Sequence, residues 1–409
     1  MVEFDLTSSQ QRISEFIGQF ATHVVRPISL EADRAHRIPD VFLERLTAMR
    51  GSMSMGEIPQ EYGGEGAGAG DVKDPKEEKR GPTQKNRSAM VAAEAMAWGD
   101  IGVLMSLPGP GLGGPPVQFM GTPEQKARFF GILQKPGLHW AAYGLTEPGA
   151  GSDVSGIRTS CRRDGDHWVL NGRKCFITNG ARADWVVIFA TTDPALGRAG
   201  HRAFVVEKGT PGFSVGKIEE KMGLRSSETA ELVLEDCRVP HENLLGGDDH
   251  YTGKEGFMGA MKTFDSSRPM VGALGLGIAR AAYEYARDFV RQNYLLSRPL
   301  PRYTQIAATL ADDKRLLEAA RLMCFRAAWM ADEGIPNAKE ASMAKAYAAR
   351  VAMKICTDAV QLLGAHGLEQ HQFVEKWYRD IKVFDIFEGT GQIQRIVIAK
   401  RILREMPTF

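Results

Sequence analysis

The chain of 409 residues carries 51 lysines and arginines against 50 aspartates and glutamates, a formal net charge of +1, with 43% hydrophobic and 25% charged residues. Such a balance gives no field for steering nucleic acid or an anionic membrane, and any anionic ligand has to be met by local positive groups. The length allows two or three domains with a substantial core, and no apolar run approaches the roughly 18 residues of a membrane span. Helix comes first. Thr7 or Ser8 can cap, with Gln10 or Gln11 three residues on, and Ile13, Phe16, Ile17, Phe20 and Val24 recur at helical spacing. Residues 39–53 read as a second amphipathic helix, broken at Pro59-Gln60-Glu61-Tyr62-Gly63-Gly64. Residues 70–88 hold Lys, Asp, Glu and Pro with almost nothing apolar, so burial cannot offset their ordering entropy and a mobile surface insertion is expected. Helical pattern resumes over 89–98, and the Pro/Gly-rich residues 108–116 must break it.

Between about 140 and 248 the pattern changes to strands. Trp168-Val169-Leu170, Trp185-Val186-Val187-Ile188-Phe189, Ala203-Phe204-Val205-Val206 and Glu231-Leu232-Val233-Leu234 are short β-prone runs, punctuated by turns at Asp164-Gly165-Asp166, Asn171-Gly172 and Pro211-Gly212. Long helical patterns return from about Phe257, with Pro336 separating two of them. The order predicts a mostly α chain with a central β domain: helical 1–139, β 140–248 and helical 249–409. The five cysteines (Cys161, Cys175, Cys237, Cys324, Cys356) show no C-x-x-C spacing and read as buried thiols in a reducing compartment. The N-terminus is acidic and lacks a basic flank and apolar core, so no secretory signal is read and the cytoplasm is expected. His366 and His371 have no nearby carboxylate or cysteine in sequence to complete a ligand set, and no metal site is expected.

The most informative stretch runs Phe384-Asp385-Ile386-Phe387-Glu388-Gly389-Thr390-Gly391-Gln392. It sets one carboxylate, Glu388, between apolar side chains and a Gly-Thr-Gly turn. Phe384, Ile386 and Phe387 are expected to desolvate that carboxylate, which raises its pKa and makes it a stronger base. Gly389 and Gly391 let backbone approach a ligand closely. Two further motifs lie upstream: Tyr143-Gly144-Leu145-Thr146-Glu147-Pro148-Gly149-Ala150-Gly151-Ser152-Asp153, and Asn171-Gly172-Arg173-Lys174-Cys175-Phe176-Ile177-Thr178. With Met222-Gly223-Leu224-Arg225, Phe264-Asp265-Ser266-Ser267-Arg268 and Gln361-Leu362-Leu363-Gly364-Ala365, these resemble, in order, the acyl-CoA dehydrogenase family of flavoproteins.

The resemblance implies an N-terminal α-helical domain, a middle β-barrel and a C-terminal four-helix bundle, with FAD as cofactor. Glu388 matches the base that takes the α-proton of an acyl-CoA, with its backbone N–H and a flavin hydroxyl holding the thioester carbonyl. Tyr143, Leu145 and Thr146 match the flavin-contacting strand, Thr178 lies near N5, and Phe176 covers the ring from the side away from substrate. Gly151 and Ser152 match a turn touching flavin and the CoA phosphate arm. Gln361, Leu362, Leu363, Gly364 and Ala365 match the loop that holds a neighbouring subunit's FAD pyrophosphate, while Thr390 and Gln392 match the adenosine side. Asp265, Arg268, Ser152, Glu388 and Gly389 are the implied substrate-binding set. Arg268 has a second reading, a helix-surface ion pair with Asp265 at i−3. Some members carry the base one residue before Arg268, where this chain has Ser267. The family's Arg-x-x-Phe-Gly contact to the partner's FAD has no clean match in 291–300. Implied partners are an acyl-CoA, an electron-transfer flavoprotein and further copies of the chain. Alternatives left open are a flavin oxidase or enoyl-CoA reductase on the same fold, or a non-catalytic scaffold protein. Acyl chain length is open too.

Overall fold

The computed structural model describes residues 4–52, 84–251, 256–294 and 301–405. Helices α1 (Ser8–Phe20), α2 (Ser29–Ala35), α3 (Asp40–Ser52), α4 (Lys85–Gly99), α5 (Ile101–Ser106), α6 (Gly114–Met120) and α7 (Pro123–Leu133) come first. Thr7 caps α1 as the sequence predicts: its hydroxyl accepts the Gln10 N–H at 3.3 Å, and the Gln10 side-chain oxygen accepts the Thr7 N–H at 3.1 Å. The end of the predicted 70–88 loop is corrected, because Lys85 to Ser88 form the first turn of α4. A distant carboxylate organises that turn: Asp332 accepts the Asn86 N–H at 2.8 Å and the Arg87 guanidinium at 2.9 Å. Residues 70–83 lie outside the described residues. The Pro/Gly-rich break sits between α5 and α6, and Pro115 and Pro116 enter α6 in its first turn, where a missing N–H costs no helical bond.

Seven strands follow: β1 (Ala141–Gly144), β2 (Ser160–Asp164), β3 (His167–Thr178), β4 (Trp185–Thr191), β5 (His201–Glu207), β6 (Phe213–Ile218) and β7 (Thr229–Pro240). They form one curled sheet in the order β1-β4-β2-β3-β7-β6, with β5 also on β4. Strand β4 is buried along its whole length, with β1 parallel on one side and β5 antiparallel on the other. Its alternate residues enter two apolar clusters, Val186 and Ile188 with Leu170 and Leu232, and Trp185 and Val187 with Phe129. The pairing of β3 with β7 shifts register between Lys174 and Ile177. All five cysteines are free and buried.

The C-terminal part contains α8 (Gly256–Asn293), α9 (Pro301–Asp332), α10 (Ala338–Leu363), α11 (Phe373–Ile381) and α12 (Gly391–Glu405). Helix α8 packs on α9, α10 and α4 through one apolar cluster rich in alanine. Among the described residues no helix is long and apolar enough to cross a membrane. The loop after β6 is pressed onto α11: a Cβ at Gly223 would stand 2.3 Å from the Arg379 carbonyl oxygen. Beside it lies a buried charge cluster. Lys376 reaches Asp100 at 2.7 Å and Asp380 at 2.6 Å, and Asp380 accepts the Leu224 N–H at 2.6 Å. Asp100 also accepts the Val103 N–H at 2.9 Å, as cap of α5, and the Ser29 hydroxyl. The cluster therefore ties the first helices, the loop after β6 and α11 together.

Candidate active site

Glu388 stands in the turn that links a 3-10 segment, Lys382–Asp385, to α12. Its φ is 56° and that of Gly389 is 88°, so two successive residues are left-handed. Glycine adopts this freely, whereas a glutamate holds it only when its surroundings over-determine it. Gln394, buried in the first turn of α12, donates to the Glu388 carbonyl at 3.1 Å and to the Gly389 carbonyl at 3.0 Å. Lys345, fully buried on α10, donates to the Gly389 carbonyl at 2.7 Å. The Ser267 hydroxyl of α8 donates to the Glu388 carboxylate at 3.0 Å.

Burial pushes the Glu388 carboxyl above the ordinary glutamate value, against the Ser267 hydrogen bond and the Arg268 and Lys345 cations. The sequence expectation for the apolar shield holds in part. Phe384 is buried and meets Phe387 edge to face at 4.9 Å, but Ile386 is 53% exposed and shields nothing. Burial also pulls the Lys345 ammonium down to about 8, against the Asp385 and Glu388 carboxylates. Tyr143 comes to the same place from β1: burial, then the Glu388 charge, pushes its phenol up, and its ring meets Phe189 edge-on at 5.2 Å. Arg268 is buried and so does not lie on an open helix surface, and the Asp265 side chain of its alternative ion pair lies outside the described residues.

The upstream motif is fixed by a pair that sequence reasoning passed over. Lys174 and Glu147 form a buried ion pair at 2.6 Å. Lys174 also donates to the Leu145 carbonyl at 3.2 Å, and Glu147 accepts the backbone N–H groups of Arg158 at 2.6 Å and Thr159 at 2.9 Å. Burial draws Lys174 down to about 8 although Glu147 opposes it. This pair anchors both ends of the exposed turn that holds Gly151 and Ser152. Leu145 is buried in the core, so only its backbone is available to a ligand. Thr146 and Thr178 are half-buried, and the Thr146 carbonyl accepts the Cys175 N–H at 3.0 Å. Phe176 sits at the β3 register shift with φ 56° and is 62% exposed, so an aromatic ring faces outward at the irregularity.

The remaining predicted residues fall elsewhere. Thr390 caps α12, its hydroxyl accepting the Ile393 N–H at 3.3 Å, and Gln392 is exposed as the second residue of that helix. At the end of α10, Gln361, Gly364 and Ala365 are exposed, Leu363 is buried, and the Leu362 carbonyl accepts the Tyr294 hydroxyl at 2.7 Å. The helical rise puts Gln361 about 24 Å along α10 from Lys345. The 361–365 segment thus stands well away from Glu388 within one chain. Lys345, Gln394 and the Glu147–Lys174 pair were missed. The one available signal for Lys345 was a lysine in register with Ala341, Ala344, Ala348 and Ala352 on the buried face of an alanine-rich helix.

Three family profiles match the chain: Acyl-CoA dehydrogenase, N-terminal domain over residues 7–134, middle domain over 142–237 and C-terminal domain over 254–403. A short-chain specific acyl-CoA dehydrogenase of Clostridium acetobutylicum is 40% identical over 407 residues, covering 98% of this chain and 100% of that protein. An acryloyl-CoA reductase (NADH) of Anaerotignum propionicum is 36% identical over 98% of this chain and 96% of its own length. Among solved structures, a chain of the electron transferring flavoprotein structure of Acidaminococcus fermentans superposes with a TM-score of 0.84 at 37% identity, covering 99% of this chain and 100% of that one.

Proposed function

The chain belongs to the acyl-CoA dehydrogenase family, an oxidoreductase family, and from that premise we propose that it carries out α,β-dehydrogenation of an acyl-CoA thioester to the trans-2-enoyl-CoA, with FAD as cofactor and an electron-transfer flavoprotein as electron acceptor. The observation that carries the reading is Glu388: a carboxylate held above its ordinary pKa, on a strained left-handed turn, with the Ser267 hydroxyl donating to it at 3.0 Å. An α-proton is weakly acidic, so its removal needs a base of raised pKa and donors at the thioester oxygen. Glu388 serves as the base and its own backbone N–H as one donor. Ser267 and Arg268 favour the ionised form of the carboxylate against the burial that raises its pKa. Phe384 and Phe387 limit water on one side of it.

The residues present fit a flat cofactor with a phosphate arm. Phe176 offers an exposed ring, and Cβ atoms at Gly149 or Gly151 would meet no protein atom within 4 Å, so that turn stays open to a close ligand. Tyr143, the Leu145 backbone, Thr146, Gly151, Ser152, Phe176 and Thr178 would hold the ring end, and Thr390 and Gln392 the adenosine end. When bound, FAD supplies the hydride acceptor that the chain's own side chains lack. The remoteness of the 361–365 segment supports a homo-oligomer, a dimer or dimer of dimers, in which Gln361, Gly364 and Ala365 complete a neighbour's FAD site; light scattering should give a mass well above the 44.9 kDa of the chain. We read the domains as 1–139, 140–248 and 249–409, and the cytoplasm as the compartment.

A second reading is reduction of an enoyl-CoA, favoured by the acryloyl-CoA reductase relative. Glu388 would then deliver the α-proton, a role its raised pKa also suits. Anaerobic titration of the FAD-loaded protein with acyl-CoAs, butyryl-CoA first, tests the proposal. The oxidised flavin band should bleach with at least one of them. A fully loaded protein that no acyl-CoA bleaches would instead support the scaffold reading.

A further inference from the structure

We propose that Lys345 is a positioning residue for Glu388: from α10 its ammonium clamps the Gly389 carbonyl and faces the carboxylate that the turn presents. The inference rests on the reading of Glu388 as the base. Three observations support it. Lys345 is fully buried, yet its hydrogen bond goes to a neutral backbone carbonyl at 2.7 Å, in contrast to Lys174 and Lys376, which end on carboxylates at 2.6 Å. That carbonyl belongs to the residue after Glu388, in the second left-handed position of the turn. Gln394 from α12 donates to the same oxygen at 3.0 Å, so two helices grip the turn from two directions and hold the unfavourable φ of Glu388.

The charged groups facing Lys345 are Arg268 on α8, Asp385 at the end of the 3-10 segment and Glu388 on the turn. Glu388 itself faces Arg268 and Lys345, the Ser267 hydroxyl and the Tyr143 phenol. A buried cation beside a carboxylate favours its ionised form. Lys345 therefore does two jobs, fixing where the carboxylate points and opposing the burial that would neutralise it. A neutral side chain that still donated to the Gly389 carbonyl would do the first without the second.

The test is an infrared pH titration of the FAD-loaded protein, with the Glu388 carboxyl band assigned as the one that Glu388→Gln deletes. In Lys345→Met the midpoint should rise by about 1 pH unit or more, the lower end of what an adjacent opposite charge contributes. Lys345→Arg, which keeps the cation, should leave it at the parent value. The acid limb of anaerobic flavin reduction should move with the infrared midpoint. If Lys345→Met does not retain FAD, Lys345→Gln, which can still donate to the Gly389 carbonyl, carries the same comparison. An unmoved midpoint in the neutral variant overturns the proposal. The infrared midpoint needs no turnover, so it is distinguishable from failure of the base assignment, which would show as undiminished flavin reduction in Glu388→Gln.

Discussion

Asp380 and Glu388 stand on either side of one short 3-10 segment, and burial pushes both carboxyls upward, yet their surroundings are opposite. Asp380 has a lysine at 2.6 Å and a backbone N–H at 2.6 Å, and its neighbour Asp100 shares that lysine. Glu388 has a neutral hydroxyl at 3.0 Å, and the nearby lysine is directed to a carbonyl instead. Asp380 lies on regular helix, whereas Glu388 occupies a left-handed φ of 56°. The first arrangement satisfies its charges and joins three parts of the fold. The second leaves a carboxylate oriented, desolvated and, among the described residues, with acceptor capacity to spare, as proton transfer requires.

Removing the shared cation tests the structural half of this contrast and carries the largest expected effect on stability. Lys376→Met leaves Asp100 and Asp380 buried without a counter-charge, and breaking a buried pair costs about 3–5 kcal/mol. Denaturant unfolding should show that loss, and a change below about 1 kcal/mol would mean that the cluster is not the staple it resembles. Ser267→Ala addresses the other half. A hydrogen bond to a charged group contributes about 1.5–3 kcal/mol, so the Glu388 carboxyl should rise by about 1 unit or more. If Glu388 acts as an ionised base, flavin reduction should then fail at a higher pH on acidification, read from rate–pH profiles. An acid limb at the parent position would show that the hydroxyl does not tune the base.

Asp313 is the intermediate case. It meets Lys354 at 2.8 Å, but Lys354 also serves Asp358 at 2.6 Å, and burial first, opposed by Lys354, leaves Asp313 at about 6. Its folded value lies above the unfolded 3.8. Protonation therefore contributes stability that is complete below 3.8 and is lost as pH rises through about 6. Asp313→Asn should flatten the pH dependence of the melting temperature across that window and change stability at neutral pH by no more than about 1 kcal/mol. An unchanged slope would place the titration elsewhere.

How much of this was legible in the sequence follows the same division. Regular elements with their own periodicity were readable: the Thr7–Gln10 cap, the run Trp185 to Phe189 that became the buried β4, and the long helices after Phe257. Strands that depend on partners were not. β1 is Ala-Ala-Tyr-Gly, with little β preference of its own, was expected only through the resemblance that puts Tyr143 in a strand, and forms by parallel pairing to β4. β6 is exposed along nearly its whole length at the sheet edge. The start of α4 was misread because its organising partner, Asp332, lies far away in the chain. In the site, Glu388, Tyr143 and Arg268 were visible because their motifs are local, and the structure brings the three together. Ser267 was set aside as unable to act as a base and instead donates to the Glu388 carboxylate. Lys345 gave almost no signal, since a lone lysine on a helix looks like a solvated one until the packing of α8, α10 and α12 buries it. Local pattern encodes which groups are present, and long-range packing decides which of them face each other.

The central claim is that Glu388, unlike its neighbour Asp380, is a working base and not a structural charge. Anaerobic flavin reduction by the FAD-loaded Glu388→Gln variant, followed with whichever acyl-CoA bleaches the parent, tests it most directly. The account predicts a loss of about 10²–10⁴-fold in rate, with FAD content, acyl-CoA binding and melting temperature close to the parent. Reduction at near the parent rate would contradict it and place the base on another residue.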